Sequence, residues 1–422
     1  MNNGILWTDE THSVLRGCDP VSPGCAHCWA AAMAARFSAP REAFAGLAKR
    51  KVMPGSGKAL AVWTDKPVML LPDKLLDLLS WRKPKRVFLN SVSDTFHADV
   101  PFEFIAALWA FMACSTATCQ IVTKRARRMR EFFEWTRAHG GPDTWLLRAL
   151  ELCDQQASES DGEMAHRWRK ARETLVVRFK AVTALAELTR GLPDMMALEN
   201  VWLLVSTENQ ETYDERVAEL LQCPAVVRGI SAEPLLGPIE LGLGRWVRLK
   251  RPLAGGAVEA GVHRLSPYLG HGEGGVRVVP PEPPLAVGGI LVSEDDIERL
   301  PDIDWAIIGG ESRPCELQWV RDLTYQISEY NRDREDNGYT APFLKQLGGA
   351  AVDRPNGLVG ALHPAKPKTD PWVRSRLRDG HGGDEAEFPA SLCGYRHFPI
   401  PRLPRPPTSA PRPPAGQLGL AI

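Results

Sequence analysis

Three of the chain's nine cysteines lie in one short loop near its beginning. Cys18, Cys25 and Cys28 form a C-x6-C-x2-C pattern, and Pro23-Gly24 favours a turn directly before the last two. Thiolates at this spacing can converge on one inorganic centre. Because three protein ligands leave one coordination position for solvent, substrate or a cofactor, the pattern predicts a reactive metal centre and not a closed structural site.

The other six cysteines are scattered, mostly beside apolar segments, and we interpret them as core or incidental residues: Cys114, Cys119, Cys153, Cys223, Cys315 and Cys393. The odd total of nine cysteines and the lack of a secretory apolar segment after Met1 argue against an exported disulfide framework. We therefore expect a reduced, cytoplasmic protein.

Length and composition describe an ordinary globular chain. The 422 residues are 44% hydrophobic, enough for one large or two moderate domains. No stretch reaches the roughly twenty apolar residues that a membrane helix needs. Since 51 basic residues balance 51 acidic ones, there is no bulk field to attract a nucleic acid, and any such binding must be local.

Short apolar runs that end in polar clusters must position the cysteine loop. They predict six strands, over residues 86–91, 119–122, 201–205, 225–230, 305–308 and 342–344. Most are followed by helical patterns, as after Pro101, where Phe102, Ile105, Trp109 and Met112 recur at helical spacing. The alternation indicates an α/β protein with a full or partial (β/α) barrel, TIM-like, with its active face at the carboxyl ends of the strands.

The predicted barrel domain spans residues 1–350 and contains two insertions. Residues 140–198 are charge-rich and helical in pattern, whereas residues 244–300 are rich in Gly and Pro and predict a long loop or lid. Residues 351–398 form a C-terminal extension, and 399–422 a Pro-rich tail that we expect to be disordered.

These motifs resemble a bacteriophage and prophage family of three-cysteine proteins of unknown function that is reminiscent of radical SAM enzymes. Trp7-Thr8, Gly17-Cys18, Ser22-Pro23-Gly24-Cys25 and Cys28-Trp29-Ala30 look like its opening signature. Similar later blocks span residues 90–97, 123–125, 206–210, 231–238, 309–312 and 343–349.

The resemblance implies a radical-SAM-like [4Fe-4S] cluster on Cys18, Cys25 and Cys28, with S-adenosylmethionine chelating the fourth iron. An electron from a reductant such as flavodoxin or ferredoxin would release methionine and a 5′-deoxyadenosyl radical, which abstracts hydrogen from a substrate. Radical SAM enzymes usually carry C-x3-C-x2-C with an aromatic residue before the last Cys. Here the first gap is six residues, and His27 takes the aromatic position.

Further candidates follow from the polar clusters. Gly309, Gly310 and Glu311 are similar to the Gly-Gly-Glu segment that holds the methionine amine in radical SAM barrels, although here it follows a late strand. Other partners for an ammonium group or a ribose hydroxyl are Glu208, Asn209 and Glu233. Asp94 and Lys124 could handle protons or substrate anions if they face the barrel mouth.

Two other functions stay open. One is a zinc-binding nucleic-acid module, with the three cysteines and either His27 or His12 as ligands. The other is a non-catalytic phage accessory protein that binds a partner, possible through its insertions and Pro-rich tail. Nucleic acid is also a candidate substrate of the enzyme, because residues 124–130 and 167–172 each contain a basic run.

Overall fold

The structure is a computed structural model of the chain. It describes residues 5–53, 57–190, 196–250, 260–265, 276–279, 290–292, 294–309, 316–332, 340–346, 352–353, 373–374 and 397–399. Cys315, Cys393, Gly310 and Glu311 lie outside the described residues, as does the Pro-rich tail beyond Pro399.

The helices and strands follow each other along the chain in a mixed order. The strands are β1 (Glu10–His12), β2 (Leu15–Arg16), β3 (Ala48–Val52), β4 (Ala59–Trp63), β5 (Met69–Leu70), β6 (Arg86–Leu89), β7 (Thr118–Thr123), β8 (Val201–Ser206), β9 (Val227–Ala232), β10 (Trp246–Leu249), β11 (Gly261–Leu265), β12 (Val276–Val279), β13 (Ile290–Val292), β14 (Ile297–Arg299), β15 (Trp305–Gly309), β16 (Ala341–Gln346), β17 (Val352–Asp353) and β18 (Val373–Arg374). The α-helices are α1 (Trp29–Ala34), α2 (Leu75–Ser80), α3 (Phe102–Ala113), α4 (Ala126–Ala138), α5 (Pro142–Glu159), α6 (Gly162–Arg190), α7 (Gln210–Leu220) and α8 (Leu317–Arg332).

Seven strands form one parallel sheet in the order β1-β6-β7-β8-β9-β15-β16. This order follows the chain without reversing, unlike that of a doubly wound sheet, and the sheet curls into a half-barrel. The predicted α/β class and parallel sheet are confirmed. Among the described residues β1 and β16 are its two edges, so the barrel is partial.

All six predicted strands are present, but the sequence missed β1. Its three residues, Glu10, Thr11 and His12, contain no apolar run that would signal a strand. β1 pairs in parallel with β6, and its edge position carries the chain directly into the cysteine loop.

Side chains alternate between the two faces of the sheet, as the strand geometry requires. On one face, Leu203 and Ile308 join a large core with α3 to α8. On the other, Trp202, Trp305 and Phe343 form a separate apolar cluster, which we call the inner face. Edge-on ring contacts join Trp305 to Trp202 and Phe343, with centroids 5.5 and 6.1 Å apart.

Residues 140–198, predicted as a helical insertion, contain two helices, α5 and α6, that belong to the main core. Trp145 and Trp168 are fully buried between these helices and their neighbours. Arg178 of α6 donates hydrogen bonds to the carbonyl oxygens of Leu79 and Cys114, at 3.2 and 3.0 Å. The insertion is therefore fixed to the sheet's helical layer.

The expectation of a loop or lid over residues 244–300 is wrong for the part of it that the structure describes. Strands β10 to β14 form a five-stranded antiparallel sheet in the order β13-β12-β11-β10-β14. Trp246 is buried, and the centroid of its ring lies 6.2 Å from that of Tyr213 in α7. The sequence did not predict this sheet, because the glycine and proline residues between its short strands are typical of loops.

The C-terminal extension reaches the amino end of the inner face. The Trp305 indole donates a 3.0 Å hydrogen bond to the carbonyl oxygen of His397, and Phe398 packs against Trp305 and Phe343. Apolar rings therefore fill this end, and the carboxyl end is left for polar residues. None of the helices in the described ranges is long and apolar enough to cross a lipid bilayer.

Candidate functional site

The polar residues that follow the strands share one face of the sheet. Trp202 and Leu204 of β8 face inward, and the same alternation continues through Ser206 to Glu208. It likewise places four other residues at the inner carboxyl edge: Lys124 after β7, Glu233 after β9, Gly309 at the end of β15 and Lys345 in β16. Two ion pairs confirm that these residues meet, Lys124 with Glu208 and Lys345 with Glu233.

The cysteine loop begins beside the end of β6. Gly17 forms a parallel bridge with Ser93, whose hydroxyl donates a 2.5 Å hydrogen bond to the Gly17 carbonyl oxygen. Gly17 has a φ of +97°, which a residue with a side chain rarely adopts. The strand-end segment after β6 therefore fixes where Cys18 leaves the sheet.

The middle of the loop sits directly on Glu208. A Cβ added to Gly24 would lie 2.3 Å from Oε1 and 2.4 Å from Cγ of Glu208, so the glycine permits a contact that no side chain could make. Ser22 donates a 2.8 Å hydrogen bond to the same oxygen, Oε1. The loop is thus packed and hydrogen-bonded onto the polar edge of the sheet.

Glu208 is a buried anion held between cations. Its Oε1 lies 3.2 Å from Nζ of Lys124, and its Oε2 accepts a 3.1 Å hydrogen bond from Arg216. Burial opposes ionisation, but the charges of Lys124 and Arg216, with the Ser22 hydrogen bond, outweigh it and lower the pKa of Glu208. The carboxylate is therefore charged, and both of its oxygens are occupied.

Asp94 positions Arg125 against the first cysteine. One carboxylate oxygen of Asp94 accepts hydrogen bonds from the Thr123 hydroxyl and the Phe96 amide, and the other from the Lys124 amide and Arg125. The same Nη1 atom of Arg125 lies 3.6 Å from the Cys18 sulfur. Asp94 was predicted to handle protons, but its lone pairs are engaged by these four donors, and we assign it a positioning role.

Asp19, the residue after Cys18, completes this group. Its side chain pairs with Arg125, and its Oδ1 lies 2.7 Å from Nε2 of His97. Nδ1 of His97 accepts a hydrogen bond from the Asp99 amide, so Nε2 is the nitrogen that carries the proton in the neutral ring. The loop is therefore tied on its Cys18 side to β6 and β7, and on its Gly24 side to β8.

Glu233 repeats the arrangement of Glu208 on the other side of the edge. Its Oε1 lies 2.9 Å from Nζ of Lys345, and its Oε2 accepts a 3.2 Å hydrogen bond from Ser231. A Cβ on Gly309 would lie 2.5 Å from that Oε1, so a glycine again packs against the carboxylate. Gly309 thus allows Glu233 to pack closely against the end of β15. Gly310 and Glu311, predicted together with Gly309, lie outside the described residues.

Asn209, which the sequence predicted as a cofactor-binding residue, caps α7. Its side-chain oxygen accepts a 3.0 Å hydrogen bond from the Thr212 amide, and the Asn209 amide donates a 3.2 Å hydrogen bond to the Thr212 hydroxyl. This reciprocal capping box satisfies the first turn of the helix. It also fixes the direction in which Glu208 enters the edge.

The three loop cysteines are free and half-buried, whereas the other described cysteines are free and buried. Burial, with the nearby charges of Asp94 and Cys28, raises the pKa of the Cys18 thiol to about 12, against the effect of Arg125. Among the described residues, no three His, Cys, Asp or Glu side chains are grouped closely enough to hold a metal ion. Three partly exposed cysteines with thiol donors fit a three-thiolate metal site. A bound metal would have to draw the thiols together and displace their protons.

The two histidines proposed as zinc ligands differ in their surroundings. His27 is exposed within the loop. The His12 ring instead contacts the Lys74 carbonyl oxygen, 2.9 Å from its Nε2, and packs edge-on against Trp81. Burial lowers the pKa of His12, and its contacts belong to the α2 side of the sheet.

The two basic runs noted in the sequence are also unlike each other. In the first, Arg125 serves the cysteine loop, Arg128 donates to the carbonyl oxygens of His97 and Val100, and Arg130 pairs with Glu134 and Glu219. In the second run, on α6, the basic residues Arg167, Arg169, Lys170 and Arg172 are exposed, and Arg172 pairs with Asp154. Most of the first run is therefore committed to internal contacts.

The sequence did not single out Arg216, Arg125 or Lys345 as site residues. Glu208 directly precedes the cap of α7, and Thr212 and Arg216 follow it at intervals of four residues, a signal that could have paired the two charges. Lys345 follows a predicted strand as Lys124 does, so it could have been found by the same rule. The Gly24 contact carries no local signal, because its partner lies far along the chain.

Comparison with known proteins adds one match. The sequence model of a family described as a protein of unknown function, DUF5131, matches residues 2–354. The chain belongs to the DUF5131 family. No curated protein matches it, and no solved structure does. The matched residues of this DUF5131 protein include the cysteine loop and the whole parallel sheet.

We expect Gly24→Ala to lower the free energy of unfolding by about 1–3 kcal/mol, because the new methyl group must displace Glu208 or the loop. Urea unfolding followed by circular dichroism measures it. The matched control is Gly237→Ala, whose added Cβ meets only Asn209, at an ordinary 3.4 Å. Equal stability of the two variants would contradict the contact.

We expect Glu208→Gln to cost about 3 kcal/mol of stability at neutral pH, because it leaves Lys124 and Arg216 without their buried anion. The lowered pKa in the folded state means that the carboxylate stabilises the fold above its ordinary pKa of 4.5 and that this stabilisation is lost as the pH falls through the lowered value. Unfolding free energies between pH 7 and 3 should therefore converge for wild type and variant. A pH-independent difference, or an equal effect of the control Glu211→Gln at an exposed site on α7, would refute this.

Proposed function

We propose that the chain is an iron–sulfur enzyme of the radical SAM type that abstracts a hydrogen atom from its substrate. Cys18, Cys25 and Cys28 would hold a [4Fe-4S] cluster, leaving one iron for S-adenosylmethionine. In that class an electron from an external reductant, such as a flavodoxin or ferredoxin, breaks a carbon–sulfur bond of the sulfonium and so starts hydrogen abstraction from the substrate.

One observation carries the proposal: the loop with the three free thiols is fixed onto the polar carboxyl edge of a parallel half-barrel. Gly24 and Ser22 hold it to Glu208, and Arg125 contacts Cys18. In (β/α) barrels this edge is where active sites lie. A purely structural metal staple would not need to sit on a row of strand-end charges.

The surrounding residues suit the task. The guanidinium of Arg125 beside Cys18 favours the ionised sulfur that an iron ligand must provide. The Lys124–Glu208 and Lys345–Glu233 pairs place both signs of charge along the edge, which suits a ligand with an ammonium and a carboxylate group. The aromatic inner face excludes water from the amino end of the half-barrel.

Metal and sulfide analysis with electron paramagnetic resonance on anaerobically purified protein tests this function. We expect iron and sulfide in equal amounts and a reduced-cluster signal that changes when S-adenosylmethionine is added. The Cys18→Ala/Cys25→Ala/Cys28→Ala variant should lose the signal and keep its circular dichroism spectrum. Cys153→Ala, a control at a buried cysteine of α5, should retain it.

Other outcomes would overturn the proposal. Stoichiometric zinc without sulfide, retained by wild type and lost in the triple variant, would favour the zinc-binding module. Protein that takes up neither metal would favour a non-catalytic accessory role of the kind expected for a phage protein. A cluster signal unaffected by S-adenosylmethionine would leave an iron–sulfur protein without the proposed chemistry.

A further inference from the structure

We propose that residues 29–53 and 57–66, which we together call the basic segment, bind the phosphates of a single-stranded nucleic acid and present it to the cysteine loop. As an assignment of the substrate class, this rests on the proposed function. The binding itself requires no metal and can be tested separately. None of the basic runs noted from the sequence belongs to this segment.

The charge of the segment departs sharply from that of the chain. It contains seven basic and two acidic residues, an excess of five positive charges in a chain whose formal net charge is zero. All seven basic side chains belong to exposed residues: Arg36, Arg41, Lys49, Arg50, Lys51, Lys58 and Lys66. A local excess of this size attracts a polyanion even when the whole molecule is neutral.

The strongest part of this surface is the hairpin of β3 and β4. Lys49, Arg50 and Lys51 are consecutive in β3, and all three are exposed. They pair across the hairpin with the uncharged residues Val62, Ala61 and Leu60 of β4. No ion pair with any described residue engages the three cations, so their charges remain directed to solvent.

This makes the hairpin different from the first predicted basic run. There Arg125, Arg128 and Arg130 are held by carboxylates or carbonyl oxygens. Cations that already have such partners contribute little free energy to the binding of a phosphate. The β3 cations can exchange only water and salt ions for phosphate oxygens, which is the source of affinity in non-specific nucleic-acid binding.

Exposed aromatic rings accompany the charges. Trp29 is 59% exposed and Phe37 is 49% exposed, unusual values for side chains that large. Flat rings beside cations are the platforms on which unpaired bases stack, and every base offers a face for such stacking. Duplex bases are already stacked, so the rings favour a single strand over a duplex.

The basic segment is packed directly onto the cysteine loop. Trp29 follows Cys28 at the start of α1, and Cys28 packs into an apolar cluster with Ala34, Leu47 and Ala48. On the other side of the loop, Arg16 donates a 2.8 Å hydrogen bond to the Ala43 carbonyl oxygen. A strand held on β3 and stacked on Trp29 therefore runs beside the three thiols.

Fluorescence anisotropy with labelled 20-nucleotide single-stranded DNA, single-stranded RNA and duplex DNA, over a range of salt concentrations, tests the proposal. For single strands, Lys49→Gln/Arg50→Gln/Lys51→Gln should lower the slope of log affinity against log salt by about 2, the value for three lost phosphate contacts. Trp29→Ala should weaken single-strand binding by roughly 5- to 100-fold and duplex binding much less. The relative affinities for DNA and RNA then identify the kind of strand.

The matched control is Arg167→Gln/Arg169→Gln/Lys170→Gln, which removes three exposed cations from α6. An unchanged slope in the β3 variant, an equal loss in the control, or tighter binding of duplex than of single strands would overturn the proposal. So would wild-type protein that binds an acidic protein such as a flavodoxin through this surface and no oligonucleotide. Circular dichroism melting of each variant verifies the fold.

The same titrations on the Cys18→Ala/Cys25→Ala/Cys28→Ala variant separate the two proposals. Oligonucleotide binding should be retained there, because the charges and rings do not depend on a metal. If no preparation holds iron but binding still depends on β3, the surface stands and the proposed function fails. If iron is present and binding is absent, the substrate assignment fails alone.

Discussion

The buried carboxylate of Glu208 is the contact on which the arrangement of the cysteine loop depends. Burying a carboxylate beneath a loop destabilises the fold unless cations and hydrogen-bond donors surround it. Here Lys124, Arg216 and Ser22 supply them. Gly24 lies against the side chain so closely that any larger residue would collide with it. The loop, the ends of β7 and β8, and the first turns of α7 therefore hold one another in position.

This contact also explains how one edge of the sheet can carry so many charges. The amino end of the inner face is occupied by the packed rings of Trp202, Trp305 and Phe398. At the carboxyl end, the charges of the described residues form pairs, with Glu233 and Lys345 repeating the combination of Glu208 and Lys124. Polar groups are thus concentrated where the cysteine loop crosses the edge, and the basic segment lies on the outer side of that loop.

Much of this arrangement could be predicted from the sequence, because buried parallel strands are nearly continuous apolar runs. The residues after them, Lys124, Glu208 and Glu233, were predicted to share an edge, and the ion pairs now place them there. The antiparallel sheet of β10 to β14 was missed because its strands are short and separated by Gly and Pro. The Gly24–Glu208 contact could not be predicted, since it joins positions far apart in the chain without any local pattern. The same holds for the hydrogen bonds of Asp94, because Thr123 and Arg125 belong to the end of a different strand.

Cysteine footprinting by alkylation and mass spectrometry, before and after anaerobic reconstitution with iron and sulfide, tests the central claim most directly. If the loop on Glu208 is the metal centre, Cys18, Cys25 and Cys28 become protected together and to the same extent as iron is added. The reactivity of Cys114, Cys119, Cys153 and Cys223 should not change, because they are buried in the core. Iron uptake with the three loop cysteines still open to alkylation would contradict the account.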